Sequence, residues 1–399
     1  MTASPTQKKN LEFIALMALL MSLVAFTIDA ILPALGPMSK SLKVENPNEA
    51  QFIVSSVFLG MSLGLMIFGP FSDSFGRKNA IFLGGSIFLW GCGISLISSN
   101  LSIMLIGRIL QGFGAASCRV VTLAMIRDRF AGAEMARIMS LILIIFVLVP
   151  ALAPSIGQLI LLFASWRLIF VLLMGAGLIG LLWLKLRQEE TLAKEKRIPF
   201  SMGHIFSGVK ETVKNPVSIG CTIASGLVFG PFIAYLSSAK QILQDQYSLG
   251  ELFSLYFGSL ALAVGLSSYV NSKLVLKYGM EKICVFSLSI MSGSSFIFFF
   301  YARLYSGQPH LVSLMSYLFI TFFCFGTLFA NMNTLAVQAL GHIAGIASSV
   351  ISSLQTLLAV SLGGVIGYFY NNTVLPLVGG FSLCGMVSLF IIKLVISKD

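Results

Sequence analysis

Twelve apolar stretches, each near the 20 or so residues that cross a bilayer as helix, alternate with short polar segments along the chain. The pattern predicts spans over 11–35, 51–72, 79–98, 101–124, 138–163 and 166–186, then 216–239, 251–272, 282–303, 311–335, 344–369 and 374–396. Helix is the expected state because a chain in lipid must satisfy its own backbone hydrogen bonds; Pro33, Pro150, Pro154 and Pro231 are compatible with such helices. Only the interval 187–215 is polar for long enough to separate two groups of spans. The expected fold is therefore an all-α membrane protein of twelve transmembrane helices in two six-helix halves, 1–186 and 216–399, with 187–215 as the linker. A weak internal echo agrees: "FSDSFGRKNA" follows the second span and "NSKLVLKYGMEK" the eighth, each basic around a glycine.

Composition removes the soluble alternative. Of 399 residues 57% are hydrophobic and only 10% charged, with a mean hydropathy of +0.93. The 26 cations against 15 anions do not signal nucleic acid, because they sit in short segments between spans rather than on one surface. With the N-terminus inside, nineteen cations fall on the inner side, five outside, and two, Arg108 and Arg119, within a span. The positive-inside rule then places both termini and the linker in the cytoplasm. The start reads as a retained first span, since its apolar run is too long for a signal peptide. Six cysteines fall singly in apolar stretches and three histidines (His204, His310, His342) at loops or helix ends, so neither metal site nor disulfide is indicated. No nucleophile–base constellation and no GxxxxGK[ST] string occurs, which argues against an enzyme and against an ATP-driven pump. No cofactor is expected; a proton gradient is the expected energy source.

Asp29 is the one acid well inside a predicted span, with Glu12 and Glu251 at span edges. A charge there costs about 2.5–3.5 kcal/mol on insertion scales, so it needs a partner or a wet cavity. Counting 1.5 Å per residue puts Asp29 and Arg108 at similar depth, roughly 9 and 10 Å below the outer side, so the two are expected to pair. Such a pair reads either as structural or as a proton site, because a carboxylate beside a cavity can exchange a proton for contact with a cation. Arg119 lies near the inner face, free to snorkel or to meet Glu12 or a substrate anion. After the second span, Gly69 and Gly76 permit close approach and a turn, and Asp73 is placed to accept from Arg77, from Arg127 or from the N-terminal end of the eleventh span. Arg77 and Lys78 anchor the orientation. Pro150 and Pro154 with Gly157 predict a bent, closely packed fifth span. Phe229, Phe232 and Tyr235 recur on one face of the seventh span, and Asn331, Asn333 and Gln355 need polar partners in lipid. These residues, with Arg119, are the candidates for a substrate cavity suited to hydrophobic small molecules.

Several of these strings resemble the major facilitator superfamily, and within it the Bcr/CflA-type drug:proton antiporters, along nearly the whole chain. "GPFSDSFGRK" is similar to the loop 2–3 signature and "RILQGFGAA" to that of the fourth span, carrying Arg108, Gln111, Gly112 and Gly114. "IDAILPALGPMSKSL" resembles the first-span signature of the drug-exporting branch, and "VPALAPSIGQLI" the antiporter motif of the fifth. The latter departs from the pattern at Ala153 and Gln158, and Arg119 lies outside it. "ETVKNP", "FGPFIAYLSSAKQILQDQYSL" and "NMNTLAVQALGHIAGIASSVISSLQ" resemble the second half of the same subfamily.

The resemblance implies proton-coupled export of small amphipathic compounds by alternating access, in the inner membrane of a bacterium. It also implies that the Asp73 region latches the two halves on the cytoplasmic side in the outward-facing state. The expected partners are a small-molecule substrate, protons and membrane lipid, with no nucleic acid and the chain acting as a monomer. Two alternatives stand beside it: a symporter or facilitator importing a nutrient or metal-chelator, and a non-transporting receptor or scaffold.

Overall fold

The computed structural model describes residues 5–396; the side chains of His204 and Glu251 lie outside the described ones, as do, among the nineteen inner-side cations, the side chains of Lys8, Lys9 and Arg137 and the whole of Lys398. The described residues form helices and no strand. The first group comprises α1 (Pro5–Asp29), α2 (Leu35–Ser41), α3 (Phe52–Phe75), α4 (Arg77–Ile97), α5 (Leu101–Arg129), α6 (Gly132–Phe163) and α7 (Arg167–Arg187). A short α8 (Met202–Lys214) precedes α9 (Pro216–Ala239), α10 (Phe253–Tyr278), α11 (Met280–Leu304), α12 (Leu311–Gln338), α13 (Ala344–Tyr368) and α14 (Leu375–Ile396). Eleven described segments are long and apolar enough to cross a membrane, and α6 contributes the apolar stretch Leu148–Phe163.

Asparagines set the starts of two spans. Asn100 accepts from the Ile103 amide at 3.0 Å and Asn215 from the Ser218 amide at 2.9 Å, the latter with Pro216 in the first helical turn where its missing N–H costs nothing. Interior prolines (Pro70, Pro150, Pro154, Pro231) leave their helices continuous.

Two segments differ from the pattern-based expectation. The first span does not stop near 35: α1 ends at Asp29, a 3-10 turn covers Leu32–Ala34, and α2 carries the span on to Ser41. Pro33 in that turn lacks the amide an unbroken helix would need. The polar interval also contains a helix, α8, which buries Ile205, Gly208 and Thr212 against α13 and α9 and leaves Phe206 and Lys210 outward. Its apolar positions are spaced for one face of a helix, a signal present in the sequence under a polar average.

Packing is densest for α3 and α4 on α5, with α1 on α6 and α4 on α7. A second set joins α9 to α13, α14 and α12, with α11 against α14 and α12. The most extensive contacts between these sets are α3 with α13 and α6 with α10. Most cations described lie at one end of the bundle, here the basic face, where Arg77 meets Asp128 and Arg187 meets Glu12.

The tightest approach at the break in the first span is made by α6. A Cβ on Gly157 would stand 1.9 Å from the Ala30 carbonyl oxygen, so only glycine lets α6 seat against the residue after Asp29. Gly157→Val is expected to lower the melting temperature of the detergent-purified protein by several degrees, as overpacking at about 1–3 kcal/mol requires. Gly175→Val in α7, where a Cβ meets nothing within 4 Å, is the control and leaves the melt unchanged. Equal melts for the two variants would contradict the close seating of α6.

Candidate functional site

The centre of the bundle is organised by Arg108, which is fully buried. Its Nε donates to the Ile53 carbonyl at 3.0 Å, Nη1 to Gln111 Oε1 at 2.7 Å and Nη2 to the Thr27 carbonyl at 2.8 Å. The Thr27 carbonyl is available because α1 ends two residues later, and the last carbonyls of a helix have no partner within it. Gln111 in turn donates to Cys92 Sγ at 2.9 Å, which ties α4 to the cluster. The expected Asp29–Arg108 ion pair is therefore not formed: the guanidinium spends its donors on uncharged oxygens.

Asp29 closes α1 and is 4% exposed, yet among the described residues its carboxylate has no hydrogen bond or ion pair. It lies within electrostatic reach of Tyr235 on α9, in the second set of helices. The Tyr235 hydroxyl is likewise buried without a partner. Around Tyr235 the predicted aromatic face of α9 is the core of a larger cluster. Phe232 stacks on Phe325 at 4.2 Å and 5°, Tyr235 meets Phe322 edge-on at 4.9 Å, and Phe229 reaches Phe58 of α3 at 5.9 Å.

The polar candidates divide. Gln355 is buried on α13, its Oε1 without a partner. Asn331 pairs reciprocally with Asn271 at 2.8 and 3.2 Å, a helix-to-helix bond between α12 and α10 that accounts for it without a ligand. Asn333 turns back on the Phe329 carbonyl at 2.8 Å and lines a shallow groove with Thr334 and Gln338, away from the aromatic cluster. Pro150, Pro154 and Gly157 lie on α6 between α1 and α10, and the atypical Gln158 accepts from Ser254 of α10 at 3.0 Å.

On the basic face, Gly76 turns the chain between α3 and α4 at φ +98°, a conformation that favours glycine. Arg77 there bonds to Asp73, to Ser72 Oγ at 2.8 Å and to Asp128 Oδ2 at 2.9 Å. Glu190 accepts from the Arg77 and Lys78 amides at 2.9 and 3.1 Å, an anion on the positive end of α4, and Lys78 Nζ reaches the Gln188 carbonyl at 2.5 Å. Arg127 does not pair with Asp73; its Nε turns back to the Leu123 carbonyl at 3.3 Å. Asp128 takes the place expected for Arg127 in this cluster, and Asp73 makes no bond to α13. Gly69 faces Ser349 of α13, the close contact between the two sets of helices on this side. Arg119 does not meet Glu12, which accepts from Arg187 Nε at 2.6 Å and Trp183 at 3.1 Å.

The opposite face is joined by neutral amides. Asn48 donates to the carbonyls of Tyr368 and Tyr370 at 3.0 and 2.8 Å, Gln51 to Gln241 Oε1 at 2.5 Å, and Gln241 to Asn48 Oδ1 at 3.2 Å. The Tyr370 hydroxyl closes the group by donating to the Gln241 carbonyl at 3.2 Å. Burial, with Asp245 and Tyr247 behind it, pushes that phenol up to about 12, so it remains a donor at neutral pH. Gln241 is offered by a turn of π-helix, Lys240–Gln246, that ends α9. Nothing in the sequence marks this group, because such residues at span ends look like ordinary loop polarity.

Residues 17–368 match the Major Facilitator Superfamily. The chain belongs to that superfamily. It is a transporter and not an enzyme, and the receptor or scaffold alternative falls away. An uncharacterized MFS-type transporter, YdgK of Bacillus subtilis (strain 168), is 29% identical over 94% of this chain and 93% of its own. The bicyclomycin resistance protein homolog of Haemophilus influenzae (strain ATCC 51907 / DSM 11121 / KW20 / Rd) is 26% identical over 98% of each. The multidrug resistance protein MdtL of Salmonella heidelberg (strain SL476) is 28% identical over 86% of this chain and 87% of its own. In fold, a mutant form of the nucleoside transporter NupG superposes with a TM-score of 0.75 at 14% identity, covering 96% of this chain and 99% of that one. The major facilitator fold expected from the span pattern is thus the fold observed.

The amide group holding the opposite face centres on Gln241. Gln241→Ala is expected to lengthen and broaden the distance between spin labels at Glu45 and Asn372, both exposed on that face, in double electron–electron resonance. An unchanged distribution would show that these bonds do not hold the face shut.

Proposed function

We propose that this superfamily member exports small amphipathic compounds in exchange for protons, with Asp29 as the proton-carrying carboxylate. The observation that carries the reading is the isolation of Asp29: an acid at a helix break, buried, and without a bonded partner among the described residues. Arg108 is satisfied independently, so a proton can arrive at or leave Asp29 without dismantling the cluster that holds α1, α3 and α5 together. Tyr235 connects that change to the second set of helices. The names of the bicyclomycin and multidrug resistance relatives support drugs as cargo.

The cation distribution supports a cytoplasmic basic face in a bacterial inner membrane, with both termini inside. The structure then corresponds to a state sealed outside by the Asn48–Gln51–Gln241 group, with a cavity between the two sets of helices on the inner side. Substrate binds between two six-helix halves, and rocking of one half on the other exposes it to either side. Proton and substrate bias that equilibrium only by their difference in affinity for the two states. In this reading Asp73, Arg77, Asp128 and Glu190 form the inner latch, prepared within one half to meet the start of α13 when the inside closes.

Proteoliposomes with an imposed pH gradient and an amphipathic antibiotic panel that includes bicyclomycin test the reading. Wild type is expected to move substrate uphill against the proton flow. Asp29→Asn is expected to lose at least about tenfold of that uphill flux while retaining gradient-independent exchange, because only the proton step is removed. Uphill transport by Asp29→Asn, or uptake in the same direction as protons, would sink the proposal; the second result restores the symporter reading.

A further inference from the structure

Arg119 lies 11 residues beyond Arg108 on α5, roughly 16 Å closer to the basic face. There it lines a cavity of about 410 Å³ between α3 and α5 on one side and α13 on the other. The charges on the wall do not balance locally. Arg77 engages both carboxylates, Asp73 and Asp128, and Arg119 has no hydrogen bond or ion pair to any described residue. Its nitrogens are open to the cavity rather than sealed in the packing.

The facing wall is equally unengaged. Ser349 and Ser352 of α13 line the same cavity, and among the described residues neither hydroxyl forms a hydrogen bond. Helix hydroxyls elsewhere divide: Ser117 turns back on the Gly114 carbonyl and Thr356 on that of Ser352, each at 2.7 Å, whereas Ser225 and Ser237 of α9 are sealed in the packing without a partner. An open guanidinium facing free hydroxyls across a gap between the two sets of helices is the donor array that a negatively charged oxygen group requires. Water alone leaves the cation uncompensated at a place where charge is costly to keep. Two turns of α3 beyond Leu65 on the cavity wall stands Phe58, which meets Phe229 and the aromatic cluster. The polar end and the apolar end of one small molecule thus have separate places.

We infer that Arg119, with Ser349 and Ser352 opposite, forms an oxyanion subsite, and that the transported compound carries a carboxylate, sulfonate or phosphate at one end of an apolar body. The inference rests on the proposed transport of amphipathic compounds and narrows their class. An anionic lipid headgroup shares this chemistry, but walls from both sets of helices favour a small molecule admitted between them.

Binding of 2-naphthoate and of its neutral isostere 2-naphthamide to the full chain in neutral detergent, by calorimetry without any gradient, tests the subsite. Wild type is expected to prefer the carboxylate by about tenfold, the worth of one charge-assisted hydrogen bond. Arg119→Gln is expected to bring the ratio to about one, and Arg119→Lys to keep part of it, because charge without the planar fork is retained. If Arg119→Gln loses the wild-type elution profile, the double variant Ser349→Ala/Ser352→Ala takes its place and is expected to lower the ratio. Arg187→Gln, on the exposed pair with Glu12, keeps the wild-type ratio. Absence of a preference in wild type, including absence of any binding, overturns the inference, as does a preference that survives Arg119→Gln. Repeating the titration with added phosphatidylglycerol covers the other source: competition by the lipid assigns the site to a headgroup and also overturns it. Failure of proton coupling at Asp29 leaves this equilibrium ratio untouched, so the two proposals fail separately.

Discussion

A fully buried arginine held by backbone carbonyls is the constraint from which the centre of this protein follows. Arg108 joins α1, α3 and α5 through Thr27, Ile53 and Gln111. Hydrogen bonds to a charged group are worth about 1.5–3 kcal/mol each, so three of them outweigh an insertion cost of about 2.5–3.5 kcal/mol for the cation. The supply of acceptors is not incidental. A continuous first helix would use the Thr27 carbonyl for its own amide four residues on; the break after Asp29 releases it. The broken helix and the buried cation therefore require each other, and Asp29 sits at the point where both conditions meet. Because the cation is satisfied without the carboxylate, the carboxylate is left with freedom that an ion pair would remove.

The same break organises the contact with the second set of helices. Gly157 lets α6 press against Ala30, and α6 carries Gln158 outward to Ser254 of α10. On the other side Asp29 lies within electrostatic reach of Tyr235, whose ring stacks with Phe257 of α10 and meets Phe322 of α12 edge-on. Any rearrangement at residues 29–34 is felt by α6 and α9 together. Coupling of this kind needs no long pathway, since one packed junction touches both moving parts.

How much of this was legible in the sequence depends on whether a residue's role follows from its own chemistry or from its neighbours. Spans follow from hydropathy alone, and their ends agree with the observed helices to within about six residues; the first differs in kind, because Pro33 breaks the helix without ending the span. Asp29, Arg108 and Arg119 announce themselves because charge in lipid is costly wherever the chain then goes. Partner choice is different. Depth alone made Asp29 and Arg108 look like a pair, but depth carries no information about rotation around the helix axis or about carbonyls freed by a break. Asp128, Glu190, Asn48 and Gln241 were passed over for a related reason: at the end of a span a polar residue is unremarkable until a second, distant residue is seen against it. Asn331 erred the opposite way, since a polar group in a span needs a partner but that partner, Asn271, is protein.

The two faces of the bundle are held by different chemistry, and the difference bears on how an alternating transporter can be poised. On the opposite face the joining bonds are between neutral amides, carbonyls and one phenol. The four of these that cross between the sets contribute about 0.5–1.5 kcal/mol net each, so they hold that face by only a few kcal/mol, little affected by salt. On the basic face the strong charged bonds are spent within the first set of helices, on Arg77 with Asp73 and Asp128, and they shape a wall of the cavity without fastening it to α13. A charged latch spanning both sets would add to the differential affinity that ligands must supply to open it, when moving an equilibrium from 1:99 to 99:1 already takes about 5.5 kcal/mol. Keeping the strong interactions inside one set, and leaving weak neutral ones between the sets, holds the closed and open arrangements within that reach.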